Sequence, residues 1–163
     1  MLLDFKLTGI ENPFSQGQDS SAKFEGWPIF ITINVIVSSP ERNYIVGDTN
    51  AVALLHALSA TFYRSAMMAG STKIIFEGGP EVLIDFSGPS RQLRVMLVDA
   101  CYPDLRYEFE VGLAELGDWV QRLLDLIRSA LNAENLALGC INRLGLTEGR
   151  VDRSETNVFH VYW

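Results

Sequence analysis

Cysteine is nearly missing from this chain: its 163 residues include two, Cys101 and Cys140. Two so far apart make neither a disulfide framework nor a C-x-x-C metal or redox pair, so a reduced, cytoplasmic protein is expected. Histidine is as scarce, with only His56 and His160 to serve as general base or imidazole ligand. His56 lies between Leu55 and Ala57 in a helical pattern and reads as an ordinary helix residue, and His160 is expected to face away from Phe159 and Val161. Cys101 has Asp99 and Asp104 nearby, whose charge raises a thiol pKa rather than lowering it, so it reads as structural or merely exposed. These four residues fall in four different elements, which predicts no Cys/His metal site. A calcium-type D-x-[DN]-x-[DN]-G loop does not occur either. Gly70-Ser71-Thr72-Lys73 lacks the upstream spacing of a phosphate-binding loop, and Gly78-Gly79-Pro80 reads as a turn. The expectation is a protein with no catalytic residues, no metal and no cofactor.

Long apolar runs are also lacking. The start, MLLDFKLTGIENPF, has an acid at position 4 and no basic leader region, so no signal peptide is expected. WPIFITINVIV, from Trp27 to Val37, is broken by Thr32 and Asn34 and has about half the length a helix needs to cross a bilayer. Positive charge is the third shortage. Lys and Arg number 13 against 20 Asp and Glu, a formal charge of -7, which disfavours phosphate backbones as partners. Neither nucleic acid nor membrane is expected as a partner.

What is present is the composition of one ordinary globular domain, 48% hydrophobic and 20% charged, expected to span 1–163. At this length a folded chain hides about 70% of the surface its unfolded form exposes, so packing suffices without a staple. Residues 2–10 alternate as a strand. After Gly26-Trp27-Pro28, Ile29, Ile31, Ile33, Val35 and Val37 share one face of a second strand, opposite Phe30, Thr32, Asn34 and Ile36. A short strand from Asn43 to Val46 precedes a helix of about 20 residues, with Asp48 or Thr49 as N-cap, Val52, Leu55, Leu58, Phe62 and Met67 at helical spacing, and Gly70 as its stop.

From Thr72 to Gly112 the period changes to 2. Strands TKIIFE, EVLIDFS, RQLRVMLVD and LRYEFEVG follow one another through short turns, which makes neighbours antiparallel: a four-strand meander. Val82, Ile84 and Phe86, then Leu93, Val95 and Leu97, then Leu105, Tyr107, Phe109 and Val111 mark its buried face. A second helix runs from Leu113 to about Leu131, with Leu116, Val120, Leu123, Leu124, Ile127 and Leu131 as its apolar stripe. Residues 132–163 form an extension whose final NVFHVYW alternates like a strand and is too apolar to leave in water, so it is expected to dock on the body, 1–131. Whether it joins the main sheet or forms a separate arm stays open. The expected class is α+β: a mainly antiparallel sheet with a four-strand meander, packed against two helices, plus a C-terminal extension ending in a strand.

Charge is unevenly placed. Residues 77–125 hold ten acids and four arginines, and so six of the seven excess negative charges. Alternation sets Leu83, Met96 and Val98 beside Asp85, Arg94, Arg106, Glu108 and Glu110 on the meander face opposite the core. Two readings of that face are open: a docking site for a basic partner, or a surface covered by the tail through Phe159, Val161 and Trp163 with the carboxylates as a solvated rim.

GWPIFITINVIVSSPERNYIVGDTNAVALLHAL, KIIFEGGPEVLIDFSG and QLRVMLVDACYPDLRYEFEVGLAELGDWVQRLL together resemble the WapI-like immunity proteins of bacterial polymorphic toxin systems. The likeness is one of architecture and hydrophobic rhythm, covers roughly residues 1–131 and does not extend to the tail. It implies a protein that binds a cognate toxin domain in the cytoplasm of the producing cell and neutralises it by occlusion. A basic toxin such as a nuclease fits the acidity, and the contact residues expected are Asp85, Asp99, Asp104, Glu108 and Glu110. Two other classes stay open: an acidic secretion chaperone that holds an effector segment by β-augmentation, and a small-ligand or enzymatic domain that works through scattered carboxylates. The oligomeric state is not legible.

Overall fold

A computed structural model describes residues 2–11, 30–38, 43–76, 80–87, 92–99, 101–102, 104, 106–133, 150–151 and 156–161. The chain opens with an antiparallel sheet of β1 (Leu2–Glu11), β2 (Phe30–Ser38) and β3 (Asn43–Asn50), with β2 in the middle. The β-branched run sets this position: Ile31, Ile33 and Val35 are buried, while Thr32, Asn34 and Ile36 on the other face are half-buried. Phe5 pairs with Val35 and Ile10 with Ile31, although they differ in parity along β1. A register shift between Leu7 and Gly9 inserts one residue, and both Phe5 and Ile10 then pack on the core.

The first helix, α1 (Ala51–Met67), begins later than its sequence signals suggest, because β3 extends through Asp48 and Thr49, which pair with Asn34 and Ile33. Asn50 is the N-cap: its side-chain oxygen accepts from the N–H groups of Val52 and Ala53 at 3.0 and 3.1 Å. The other end also differs. Met68 is already extended and Gly70, at φ 150°, lies within the next strand, so the helix stops before the glycine is reached.

The second sheet has six strands. They are β4 (Ala69–Phe76), β5 (Glu81–Ser87), β6 (Gln92–Val98), β7 (Arg106–Gly112), β8 (Arg150–Val151) and β9 (Thr156–Val161), in the order β7-β6-β5-β4-β9-β8. β4 to β7 form the expected meander. The tail joins this sheet: β9 runs parallel to β4, pairing Ile74 with Phe159 and Phe76 with Val161.

The second helix, α2 (Leu113–Ala133), buries Leu116, Trp119, Leu123, Ile127, Ala130 and Leu131. The stripe is turned slightly from the expected one, toward Trp119 and Ala130, leaving Val120 and Leu124 half-buried. The two helices pack on each other and lie between the sheets: α1 touches β2 and β3 on one side and β4, β5 and β9 on the other, while α2 touches β1 and β7. Gly117 makes this crossing close, since a Cβ there would stand 3.0 Å from the Phe62 ring. A single core cluster runs through both helices and both sheets, from Ile31 and Ile33 through Leu54 and Leu123 to Ile84, Val95 and Phe159. Among the described residues no helix is long and apolar enough to cross a membrane.

Candidate functional site

Strand register lays out the face of the six-stranded sheet that points away from the helices. Ser71, Asp85, Arg94 and Glu110 form one cross-strand row; Val158, Lys73, Leu83, Met96 and Glu108 form the next; His160, Ile75, Glu81, Val98 and Arg106 form the third. Their alternate neighbours Thr72, Ile74, Phe76, Ile84, Phe86, Leu93, Val95 and Leu97 are buried on the inner side. Ile75, Leu83, Met96, Val98 and Val158 thus make a half-buried apolar band across the middle of the outer face, with charged residues around it. The tail does not cover this band through Phe159 or Val161, as both are buried on the inner face, and Trp163 lies outside the described residues. His160 points to the opposite side from these two and is half-buried beside Ile75 in register.

Three of the five expected contact residues converge. Asp85, Glu108 and Glu110 surround Arg94, whose guanidinium donates to Glu108 in an exposed ion pair. The hydrogen bond and charge of Glu108 hold the Arg94 pKa above its ordinary value, and the charges of Asp85 and Glu110 act in the same direction. Three carboxylates against one guanidinium leave this cluster anionic. Elsewhere on the face Lys73 meets Glu81 at 2.6 Å, and Arg106 adds a further cation in the third row.

An open depression of about 270 Å³ adjoins the cluster, lined by Asp85, Phe86, Gln92, Leu93, Arg94 and Glu110. It forms because pairing between β5 and β6 ends at Asp85 and Arg94, while Phe86 continues with Gly70 on β4, and Gln92 and Leu93 with β7. Sequence patterning does not reveal this notch, since alternation locates faces but not where a ladder stops.

Asp99 and Asp104 are elsewhere. They follow β6, beyond the pair Val98 and Arg106, four residues or about 13 Å along the strands from the Arg94 row. Asp99 shapes a turn. Its carboxylate accepts from the N–H groups of Cys101 at 2.8 Å and Tyr102 at 3.0 Å, and so presents Tyr102, which is 66% exposed. Asp104 is exposed. Cys101 is a free, exposed thiol, and Cys140 lies outside the described residues. His56 is exposed on α1, its ring edge-on to Phe159 with centroids 5.7 Å apart. Among the described residues no group of three or more His, Cys, Asp or Glu is placed to hold a metal ion. What this geometry offers chemically is an apolar band for burial, with a carboxylate cluster and a notch at one end.

Compared with known proteins, the chain matches no family model, no curated protein and no solved structure.

Proposed function

We propose that the chain is an immunity protein that binds a cognate bacterial toxin domain, a basic one such as a nuclease, and neutralises it by occluding its active site or substrate path in the cytoplasm of the producing cell. The observation that carries this reading is the outer face of the six-stranded sheet, where Leu83, Met96 and Val98 lie beside Asp85, Glu108 and Glu110 around Arg94. An apolar band provides area to bury, and an anionic rim attracts the cations by which a nuclease grips phosphates. The resemblance of residues 1–131 to WapI-like immunity proteins supports the same reading. Neutralisation of this kind requires no catalysis by the chain.

Co-expression tests it. The C-terminal domain encoded by the neighbouring open reading frame should arrest growth when produced alone, and this chain should restore growth and co-purify with it as a 1:1 complex. A harmless neighbour that forms no complex would contradict the proposal.

A further inference from the structure

β7 (Arg106–Gly112) ends the six-stranded sheet, and among the described residues no strand pairs with its outer edge. Its pairing with β6 runs without a shift from Arg106 to Gly112, and its sequence, RYEFEVG, holds neither proline nor lysine. A regular edge that lacks these blocking features is a template for a further strand. The core layer is also left half-covered there. Leu97 and Val95 are buried on β6, yet Tyr107 and Phe109, which pair with them on the same inner face, are only half-buried, although α2 touches β7.

The order of residues along β7 selects the occupant. Directly opposed residues of antiparallel strands point to the same face, so a strand set against β7 meets Arg106, Glu108 and Glu110 on the outer face and Tyr107 and Phe109 on the inner one. A second copy of β7, turned about Glu108, answers both faces. Arg106 falls opposite Glu110 of the second copy, and Tyr107 opposite its Phe109; the two-fold axis repeats each pair. The two Glu108 side chains meet at the axis, but each accepts from Arg94 of its own chain. Arg94 and Arg106 balance Glu108 and Glu110, so the outer-face residues of β6 and β7 bring no net charge to the seam. Neighbouring registers are worse. Turning about Phe109 sets Glu108 against Glu110, and turning about Tyr107 gives Arg106 to Glu108, which Arg94 already holds, and leaves Glu110 past the end of the second strand.

We propose that two copies of this chain pair antiparallel through β7, about a two-fold axis at Glu108, and so join their six-stranded sheets into one. The inference goes beyond the immunity reading and does not rest on it. Ion pairs form on the outer side of the seam and aromatic pairs on the inner side, where they cover the half-buried Tyr107 and Phe109. The outer faces of the two copies stay open and lie side by side. A strand of seven residues is a narrow contact beside the roughly 800 Å² per partner of a standard interface, so the dimer should dissociate on dilution.

Sedimentation velocity on the isolated full chain tests it. Wild type should pass from monomer to dimer between micromolar and submillimolar concentration. Arg106→Glu and Glu110→Arg change exposed side chains, and thermal melts in dilute solution should match wild type. Each substitution sets like charges opposite each other twice in its own dimer, which should weaken self-association about tenfold or more. Mixing the two variants should restore it, because in the mixed dimer every acid at either position again faces an arginine. A wild type that stays monomeric at submillimolar concentration would overturn the proposal and leave β7 to a strand from another protein. Single variants that dimerise as well as wild type would put the contact elsewhere and overturn it too, as would a mixture that stays monomeric while wild type dimerises.

Discussion

Thr72 is fully buried in β4, and its hydroxyl has no hydrogen-bond partner among the described residues. The buried hydroxyls of α1 fare differently: Thr61 donates to the Ala57 carbonyl at 2.7 Å and Ser65 to the Thr61 carbonyl at 2.6 Å. An orphaned buried hydroxyl costs about 1–3 kcal/mol, and valine keeps its shape and suits a strand. Thr72→Val should therefore raise unfolding free energy by about 1 kcal/mol in urea titrations, whereas a loss would show that the hydroxyl is satisfied. Alternation with Ile74 and Phe76 makes the burial of Thr72 legible in the sequence; its missing partner is not, because that depends on what faces it across the sheet. Arg94 is the converse case. Its ion pair with Glu108 is exposed on both sides, 64% and 51%, so Arg94→Ala should leave the thermal melt close to that of wild type. Removing the guanidinium leaves Asp85, Glu108 and Glu110 without their central cation, and association with a basic domain should become faster at low ionic strength. Slower association would mean that Arg94 itself meets the partner.

Among the elements, α1 depends most visibly on one residue. Asn50→Ala removes the acceptor for two helix N–H groups and should cost about 1 kcal/mol, while Asn50→Asp should retain most of the cap; chemical denaturation of both variants distinguishes them. The crossing of α1 and α2 makes a second demand. Gly117→Val places branched carbons against Phe62 and should cost about 1–3 kcal/mol, whereas Gly117→Ala sets a helix-propensity gain of about 1 kcal/mol against a small shift of that ring and should stay near neutral. Strand and helix positions were legible because hydrophobic period is a local property: β5, β6 and β7 and the start of α2 lie within a residue or so of where alternation and helical spacing put them. Ends were less legible. Asp48, Thr49 and Asn50 are all residue types that cap helices, and the choice among them was made by the β3 ladder, which holds the first two in register with β2. Similarly, the parity change between Phe5 and Ile10 comes from a bulge that only the pairing with β2 defines.

At the scale of the molecule, the tail completes the main sheet. β9 lies between β4 and β8 and puts Phe159 and Val161 into the shared core. Phe159→Ala should cost about 3–5 kcal/mol, and a chain ending at residue 149 should lose cooperative unfolding and aggregate through the uncovered edge of β4; calorimetry and light scattering check both. The sequence showed that this segment must be buried but not beside which strand, since parallel pairing with β4 joins residues some 85 positions apart with no local signal. The same limit applies to the candidate site. Composition localised the acidity to residues 77–125, and alternation put Asp85, Glu108 and Glu110 on one face; the register then gathered these three around Arg94 and left Asp99 and Asp104 at the far turn. The proposal that the carboxylate cluster around Arg94 receives a basic toxin domain is tested most directly by stopped-flow association with the C-terminal domain of the neighbouring gene product across a series of salt concentrations. Wild type should associate fast with a steep fall as salt rises, and Glu108→Lys/Glu110→Lys should associate about tenfold more slowly with a shallower dependence. Equal rates and equal salt dependence in the two proteins would contradict it.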